Sequence, residues 1–453
     1  MLIAARIPRL SLAALIGLGA MCGATLAQAA AQAAAQAAAQ AAAQAEAQEA
    51  APAATPDAAP VTTPADDADP VGRGAYLATV GNCMTCHTRP GGEPFAGGVP
   101  FHTDFGTIYS TNITSDPKAG IGAWTEAEFA RAMRQGIAAD GTHLYPAFPY
   151  PSFARITDAD MAALYAYVKT IAPSSTAPPD NDMGFPFNQR ALMSIWNTLF
   201  MKTTVFTPKA DQSAEWNRGA YLVEGLAHCG ACHTPRNVLG AEIADQALSG
   251  GVLMDEVPDG SVRRWSAVNL TSAQSGLKAW SVDDLTSYLK TGHSSRGATN
   301  GPMNEVTFNS TMKLSAEDVR AMAVYLKSLP PIEHAKPATP DPQTMRAGET
   351  LYTIHCGTCH LPTGLGSKPG SELGPPLVGS AIAQSPDPSS MINLIIHGGD
   401  LPAPFPPNSW HNMKAFGNIL DDDEIAAVAT YVRMSWGNIG GPVTEADVAQ
   451  QHH

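Results

Sequence analysis

Apolar residues recur at helical spacing in three pairs of segments along this chain. The opening segments read RGAYLATVGNC, RGAYLVEGLAHC and RAGETLYTIHC, and the closing segments read DMAALYAYVKTIAP, DVRAMAVYLKSLPP and EIAAVATYVRMSWG. In the second closing segment, Val319, Met322 and Leu326 lie three and four residues apart, as on the buried face of a helix. Capping and acidic residues, as in LSAED and ILDDDE, precede closing segments. The pattern predicts three repeats, each opened and closed by an amphipathic helix.

Proline-rich joints separate the repeats and set the predicted domain boundaries. The sequence APSSTAPPDND follows the first repeat, and LPPIEHAKPATPDP follows the second. We predict a mostly α-helical chain of three tandem domains. The predicted ranges are 71–175, 211–330 and 342–437 for the domains, 176–210 and 331–341 for the connectors, and 438–453 for a tail.

The first seventy residues are predicted to contribute no folded domain. Two arginines precede an apolar run and the small residues AQA, which is typical of a secretory signal peptide over residues 1–29. A lipoprotein cleaved before Cys22 is the alternative interpretation. Residues 30–70 consist mainly of Ala, Gln, Pro, Thr and Asp, a composition that predicts a disordered linker.

Charge and hydropathy exclude two classes of protein. Acidic residues outnumber basic residues 41 to 27, for a net charge of −14, whereas nucleic-acid phosphates are bound by clustered basic residues. Beyond the signal peptide no segment holds about 18 uninterrupted apolar residues, so no spanning helix is predicted. We therefore expect an exported protein without a nucleic-acid partner, either soluble or attached to a membrane surface.

Six of the seven cysteines lie in three C-x-x-C-H motifs. The motifs are CMTCH (Cys83, Cys86, His87), CGACH (Cys229, Cys232, His233) and CGTCH (Cys356, Cys359, His360). Zinc would need two such pairs close together in the sequence, and a dithiol redox centre needs neither the histidine nor three copies. Covalent attachment of haem explains the whole motif, because the cysteines form thioethers and the histidine ligates the iron. We therefore predict three c-type haems and three tandem class I cytochrome c domains.

The second iron ligand is expected on the loop before each closing helix. A methionine there raises the reduction potential of the haem, and a second histidine lowers it. In the third repeat we predict Met413, with His411 as the alternative. In the second repeat we predict Met303, with Met312 as the alternative.

The first repeat has no methionine in the corresponding loop. The sequence DGTHLYPAFPYPSFARITDAD contains His143, which we predict as the sixth ligand of the first haem. Met133 is expected in the core, and His102 is less well placed. The alternative is an iron with an open or water-filled position, which would allow chemistry on a substrate.

Several stretches between residues 71 and 445 resemble the three-haem cytochrome c subunit of bacterial membrane-bound dehydrogenases. They are FGTIYSTNITSDPKAGIG, LYPAFPYPSF, WNRGAYLVEGLAHCGACHTPRN and SWGN. The resemblance implies an electron conduit, not itself an enzyme, that passes electrons from a catalytic subunit to ubiquinone. It also implies a peripheral position on the periplasmic face of the inner membrane, and it supports Met303 and Met413 as ligands.

The chain departs from this family at Phe148. Alcohol and fructose dehydrogenase relatives read LYPAMPY where this chain reads LYPAFPY. The phenylalanine version resembles the branch that accompanies molybdenum-dependent aldehyde dehydrogenases, which implies a catalytic molybdenum subunit and a small iron–sulfur subunit as partners. A quinoprotein alcohol dehydrogenase or a flavin-dependent sugar or gluconate dehydrogenase is the alternative partner.

Two alternatives to a simple electron relay follow from the same residues. A multi-haem peroxidase or thiosulfate-oxidising enzyme would use an open first haem, and a respiratory-oxidase module would need copper or membrane-haem ligands that the sequence lacks. The connector segment QRALMSIWNTLFMKTTVF also has two interpretations, an interfacial membrane helix or a packing helix. One helical face of this segment carries Leu192, Ile195, Trp196, Leu199 and Phe200, with Arg190 and Lys202 beside it.

Overall fold

The structure is a computed structural model, and it describes residues 69–201, 204–257, 260–367, 373–401, 410 and 412–452. The predicted signal peptide, the predicted linker up to residue 68, and His411 lie outside these ranges. No helix in the described ranges has the length and apolar character needed to cross a membrane.

The first repeat and the connector form helices around a small antiparallel sheet, in which β1, β2 and β3 are neighbours in that order. The elements of the repeat are α1 (Pro70–Val80), α2 (Cys83–His87), β1 (Pro100–Thr103), β2 (Gly106–Tyr109), α3 (Glu126–Gln135), α4 (Tyr150–Phe153) and α5 (Asp158–Val168). The connector adds β3 (Asp182–Met183) and α6 (Leu192–Phe200).

The second repeat follows the same order and adds two β-hairpins. Its elements are α7 (Ala214–Tyr221), a π-helical turn (Leu222–Leu226), α8 (Gly230–His233), a 3₁₀ turn (Ala244–Gln246), β4 (Gly251–Glu256), β5 (Val262–Ala267), α9 (Val282–Thr291), β6 (His293–Ser294), β7 (Gly297–Ala298), α10 (Pro302–Asn309), a 3₁₀ turn (Thr311–Lys313) and α11 (Ala316–Ser328). Strand β4 pairs with β5, and β6 pairs with β7.

The described residues of the third repeat form helices joined by loops, without a strand. Its elements are α12 (Pro342–His355), α13 (Gly357–His360), α14 (Ala381–Gln384), α15 (Ser389–His397), α16 (Asp422–Met434) and α17 (Glu445–Ala449). The predicted opening and closing helices of all three repeats are therefore confirmed.

The closing helices begin at the predicted capping residues. The Ser315 hydroxyl accepts a hydrogen bond from the backbone N–H of Asp318 at the start of α11. At the start of α16, the Asp421 carboxylate accepts from the N–H of Glu424, and the Glu424 carboxylate accepts from the N–H of Asp421. Such caps satisfy N–H groups that have no partner within the helix.

In each repeat the opening helix crosses the closing helix at a glycine. A β-carbon at this glycine would overlap a backbone carbonyl oxygen of the closing helix, so any larger residue would push the two helices apart. The three contacts are Gly74 with Ala163, Gly219 with Ala321, and Gly348 with Ala427. The same crossing therefore positions the start of each C-x-x-C-H motif.

The first two repeats share one hydrophobic core, whereas the third has its own. The shared core contains Leu77 and Leu164 from the first repeat and Leu222 and Val319 from the second. The sequence predicted three separate domains, and it missed this fusion because the joint between the first two repeats is proline-rich. The predicted tail is also packed, since Val448 of α17 is buried in the third core.

A buried network of four charged residues and two tyrosines joins the first two repeats with approximate twofold symmetry. Within the repeats, Arg73 binds Asp160 and Arg218 binds Asp318. Between the repeats, the Tyr76 hydroxyl donates to Asp318 at 2.6 Å and the Tyr221 hydroxyl donates to Asp160 at 2.5 Å. Each buried carboxylate thus has an arginine from its own repeat and a tyrosine from the other, so the network fixes how the repeats dock.

Polar contacts attach the third repeat to the second. Arg264 of β5 forms an ion pair with Asp387 at 2.7 Å. The Ser390 hydroxyl accepts from the backbone N–H of Ser266 at 2.9 Å. Further along, the amide of Asn304 donates to the Asp400 carboxylate at 2.9 Å.

We expect Asp318→Ala to destabilise the chain by about 3–5 kcal/mol, because it leaves the buried guanidinium of Arg218 without its partner. The matched control is Arg320→Ala on the same helix. This residue forms a 3.2 Å ion pair with Glu215 but is half exposed, and the expected loss is below about 1 kcal/mol. Denaturant titration of both variants measures the free energy of unfolding, and equal losses would contradict a dominant role for the network.

Candidate haem-binding sites

Each C-x-x-C-H motif lies at the end of an opening helix and forms its own short helical turn. The motifs coincide with α2, with α8 and the preceding Cys229, and with α13 and the preceding Cys356. All six cysteines are free of disulfide bonds. The two thiols and the imidazole of each motif are therefore held close together on one turn of backbone.

A backbone carbonyl orients the imidazole of each motif histidine. The ring Nδ1 of His87 lies 2.7 Å from the carbonyl oxygen of Thr111. The other two contacts are His233 with Val268 at 2.7 Å and His360 with Pro375 at 2.8 Å. Because a carbonyl oxygen only accepts, Nδ1 carries the proton in all three cases. The lone pair of Nε2 is then available to a metal ion.

A second repeated hydrogen bond holds the backbone of the same histidines. Their carbonyl oxygens accept from the N–H groups of Gly97, Gly250 and Gly366. All three glycines have positive φ angles, of 75°, 109° and 56°. Glycine adopts this region without the steric cost that a β-carbon brings. The chain therefore folds back over each histidine at a position that favours glycine.

Burial sets the protonation of these groups. It lowers the pKa of the three motif histidines, so each imidazole is neutral and able to ligate. It raises the pKa of the Cys83 and Cys356 thiols to about 11 and that of Cys229 to about 12. A dithiol redox centre instead needs a lowered thiol pKa. The environment of these cysteines argues against that alternative.

The described residues fit a covalently held haem better than zinc. Nowhere in the described ranges do three or more His, Cys, Asp or Glu side chains gather as ligands for a metal ion. Each motif supplies two thiols and one oriented imidazole, which is the donor set of a c-type haem. The sulfur atoms would form the two thioether bonds, and Nε2 would take one axial position of the iron.

Several buried polar atoms of the second repeat have no hydrogen-bond partner among the described residues. They include both ring nitrogens of His293, the hydroxyls of Thr299 and Thr307, and the indole N–H of Trp265. Buried groups of this kind call for a partner outside the protein chain, and His293, Thr299 and Thr307 flank Met303 in the sequence. The structure buries the ring of His293, and no sequence motif around it signals this.

One hydrogen bond recurs in the segments before α4 and α10, and it supports a correspondence between Phe148 and Met303. The N–H of Leu144 donates to the carbonyl of Gly136, and the N–H of Thr299 donates to that of Gly292. Four residues after Leu144 comes Phe148, and four residues after Thr299 comes Met303. The position of Met303 is therefore occupied by a phenylalanine in the first repeat, where its ring packs against Phe153 at 5.3 Å.

His143 lies five residues before Phe148 on the same loop. It forms an isolated antiparallel bridge with Ile137, and its carbonyl accepts from the guanidinium of Arg190. Its ring Nδ1 is buried and has no partner among the described residues. In contrast, both ring nitrogens of His102 have partners, Glu256 and Thr107. Of these two histidines, His143 is the one with a ring nitrogen that has no partner among the described residues.

Met413, the predicted second ligand of the third haem, lies on the loop that precedes α16. Its backbone carbonyl accepts from the N–H of Gly399 at 3.0 Å, and its side chain packs against the third core. Met391 is buried on α15 in the same core.

The first two motifs are close neighbours in space. A β-carbon at Gly81 would lie 3.1 Å from Leu226 and 3.3 Å from the sulfur of Cys83. The far end of the helix that carries Met303 also touches α2, since the Asn309 amide donates to the Thr85 hydroxyl at 2.9 Å. The residues that would hold the first and second haems therefore belong to one continuous region.

Comparison with known proteins identifies the family. The family model "Cytochrome c" matches residues 71–172 and 345–436. The gluconate 2-dehydrogenase cytochrome c subunit of Pantoea cypripedii is 40% identical over 399 residues, which cover 84% of this chain and 88% of that protein. The cytochrome c subunit of the alcohol dehydrogenase (quinone) of Gluconacetobacter polyoxogenes is 40% identical, covering 86% of this chain and 85% of that protein.

A third relative is much longer than this chain. It is a nicotinate dehydrogenase subunit of Pseudomonas putida, which is 42% identical over 367 residues that cover 80% of this chain but only 30% of that protein. Together with the oriented histidines and free cysteines, these similarities show that the chain belongs to the family of cytochrome c subunits of dehydrogenase complexes.

Proposed function

We propose that this chain is the three-haem electron-transfer subunit of a membrane-bound periplasmic dehydrogenase. The observation that carries the proposal is the histidine geometry that recurs in all three motifs, with Nδ1 bound to a carbonyl and the histidine carbonyl bound to a glycine N–H. Because the same histidine geometry occurs three times, it favours three equivalent haems that all take part in electron transfer.

The protein groups have distinct tasks in this proposal. The iron of a c-type haem supplies one-electron chemistry when the group is bound. The six motif cysteines would anchor the haems, and His87, His233 and His360 would each ligate an iron. Met303, Met413 and His143 would supply the second ligands. Two protein ligands for each iron would favour electron transfer, because no ligand then has to be exchanged.

We propose a molybdenum-dependent aldehyde dehydrogenase as the catalytic partner, with a small iron–sulfur subunit beside it and ubiquinone as the acceptor. The sequence LYPAFPY supports this choice, because the alcohol and fructose dehydrogenase relatives carry a methionine where this chain has Phe148, and the phenylalanine version resembles the aldehyde branch. The alternative partners are a quinoprotein alcohol dehydrogenase and a flavin-dependent gluconate or sugar dehydrogenase. The alcohol and gluconate relatives favour that alternative.

A second candidate function follows from the same phenylalanine. Without a methionine at position 148, the first iron would have an open side if His143 did not ligate it. An open iron would allow peroxidase-like or sulfur-oxidising chemistry at the first repeat. The buried Nδ1 of His143, which has no protein partner, favours the other alternative, in which His143 ligates the first iron.

We expect the purified chain to contain three haems, and Cys356→Ala combined with Cys359→Ala to reduce the content to two. Pyridine haemochrome absorbance per mole of protein measures this ratio. Cys22→Ala is the control, because this cysteine lies in the predicted signal peptide and should not change the haem content. A double variant that still holds three haems would refute attachment at the third motif.

We expect His143→Ala to convert one low-spin haem of the oxidised protein to a high-spin form, because the iron loses its second nitrogen ligand. Low-temperature EPR measures the change. His102→Ala is the control in the same repeat, since both of its ring nitrogens already have protein partners. A high-spin signal already present before substitution would instead support the open iron.

We expect deletion of the gene to abolish ubiquinone-linked aldehyde oxidation by membranes while aldehyde oxidation with a soluble dye persists, because the catalytic subunit would remain. The assay compares oxygen uptake with dye reduction on aldehyde, alcohol and gluconate. Loss of alcohol- or gluconate-linked respiration alone would identify the alternative partner.

A further inference from the structure

We propose that one face of the connector region docks on an anionic lipid bilayer, which we name the lipid face. It consists of the exposed apolar residues of segment 185–199 and the turn at residues 236–241. The proposal rests on the proposed function, and it specifies which surface meets the membrane and which haem lies beneath it.

The lipid face exposes large apolar side chains from two separate parts of the chain. On the connector, Phe185 is 83% exposed, Ile195 58% and Leu199 53%, and on the turn Val238 is 91% exposed. Leu192, at 39%, lies on the same face of α6 as the other two aliphatic residues, at three- and four-residue spacing. Grouped exposed apolar residues mark an interaction site, whereas scattered ones need no explanation.

The part of the apolar face of α6 that adjoins these exposed residues packs inward, which keeps the exposed part in place. Trp196 is buried beside Tyr150, and its indole N–H donates to the carbonyl of Leu239 at 3.0 Å. The Tyr150 hydroxyl donates to Asn197 at 2.7 Å. The packing and membrane interpretations of this helix are thus compatible, because the two parts of its apolar face have different neighbours.

The turn is held in shape by its own polar side chains. The Asn237 side-chain carbonyl oxygen accepts from the N–H groups of Leu239 and Ala241. The Arg236 guanidinium donates to the carbonyl of Gly240 at 2.7 Å and to that of Ala231 at 2.8 Å. Val238 is therefore presented on a fixed support beside α6, close to the second C-x-x-C-H motif.

The charge of the connector differs from that of the rest of the chain. No Asp or Glu occurs from Met183 to Ala210, and this stretch contains Arg190, Lys202 and Lys209 in a protein with a net charge of −14. Acidic residues lie only at its borders, Asp182 in β3 and Asp211 after Lys209. Arg190 lies within the segment that carries the exposed apolar residues, and apolar side chains beside a basic residue fit the boundary between anionic headgroups and acyl chains.

The lipid face covers the loop that carries the predicted ligand of the first haem. The Tyr145 hydroxyl donates to the carbonyl of Phe187, and Arg190 donates to the carbonyl of His143. The same loop contains Phe148, which packs against the cluster of Tyr150 and Trp196. A lipid-soluble electron acceptor in the docked bilayer would therefore meet the His143 side of the first haem.

Vesicle flotation with the full haem-loaded chain tests this proposal. We expect binding to vesicles that contain phosphatidylglycerol, and weaker binding to pure phosphatidylcholine. Ile195→Gln combined with Leu199→Gln should weaken binding about tenfold or more, because two aliphatic side chains no longer enter the bilayer. Val238→Asn tests the turn independently. Ile419→Gln is the matched control, since Ile419 is 59% exposed but lies in the third repeat.

Three outcomes would overturn the proposal. If vesicle binding survives both sets of substitutions, the membrane anchor lies elsewhere, for example in the N-terminal residues that all variants share. If the chain does not bind vesicles and light scattering gives twice its mass, and if the α6 substitutions restore the single mass, the face binds a second copy of the chain. Absence of binding until the catalytic subunit is added would assign it to that subunit. Haem content and EPR of the same samples test the proposed function separately, so either can fail alone.

Discussion

The close crossing of the opening and closing helices is the constraint on which every repeat depends. At Gly74, Gly219 and Gly348 the backbones approach so closely that no side chain fits between them. The opening helix leads directly into its C-x-x-C-H turn, so this contact fixes the position of the thiols and the imidazole. The glycine hydrogen bond and the Nδ1 contact then complete the orientation. Without the crossing, the donor atoms would not have a fixed location.

The sequence was sufficient for features that depend on local patterns. The helix caps at Ser315 and Asp421 and the six opening and closing helices follow from residue type and spacing alone. The haem attachment residues follow from a motif in which each cysteine and the histidine has a chemical task.

Features that depend on tertiary contacts could not be predicted in the same way. Tyr76 and Tyr221 fit the apolar pattern of an opening helix, and nothing local shows that their hydroxyls reach across to Asp318 and Asp160. Likewise, the apolar face of α6 is broad, and only the packing of Trp196 shows which part of it faces inward. The correspondence of Phe148 with Met303 is supported by one recurring hydrogen bond and by the family pattern.

The two interfaces between repeats differ in kind. The first and second repeats share an apolar core with buried carboxylates, whereas polar contacts such as Arg264–Asp387 and Asn304–Asp400 attach the third repeat. Separating the first two repeats would expose an apolar core to water and leave buried charged groups without their partners. Separating the third repeat would break polar contacts whose groups water can solvate. The third repeat can therefore separate from the second at a lower free-energy cost than the first two repeats can separate from each other.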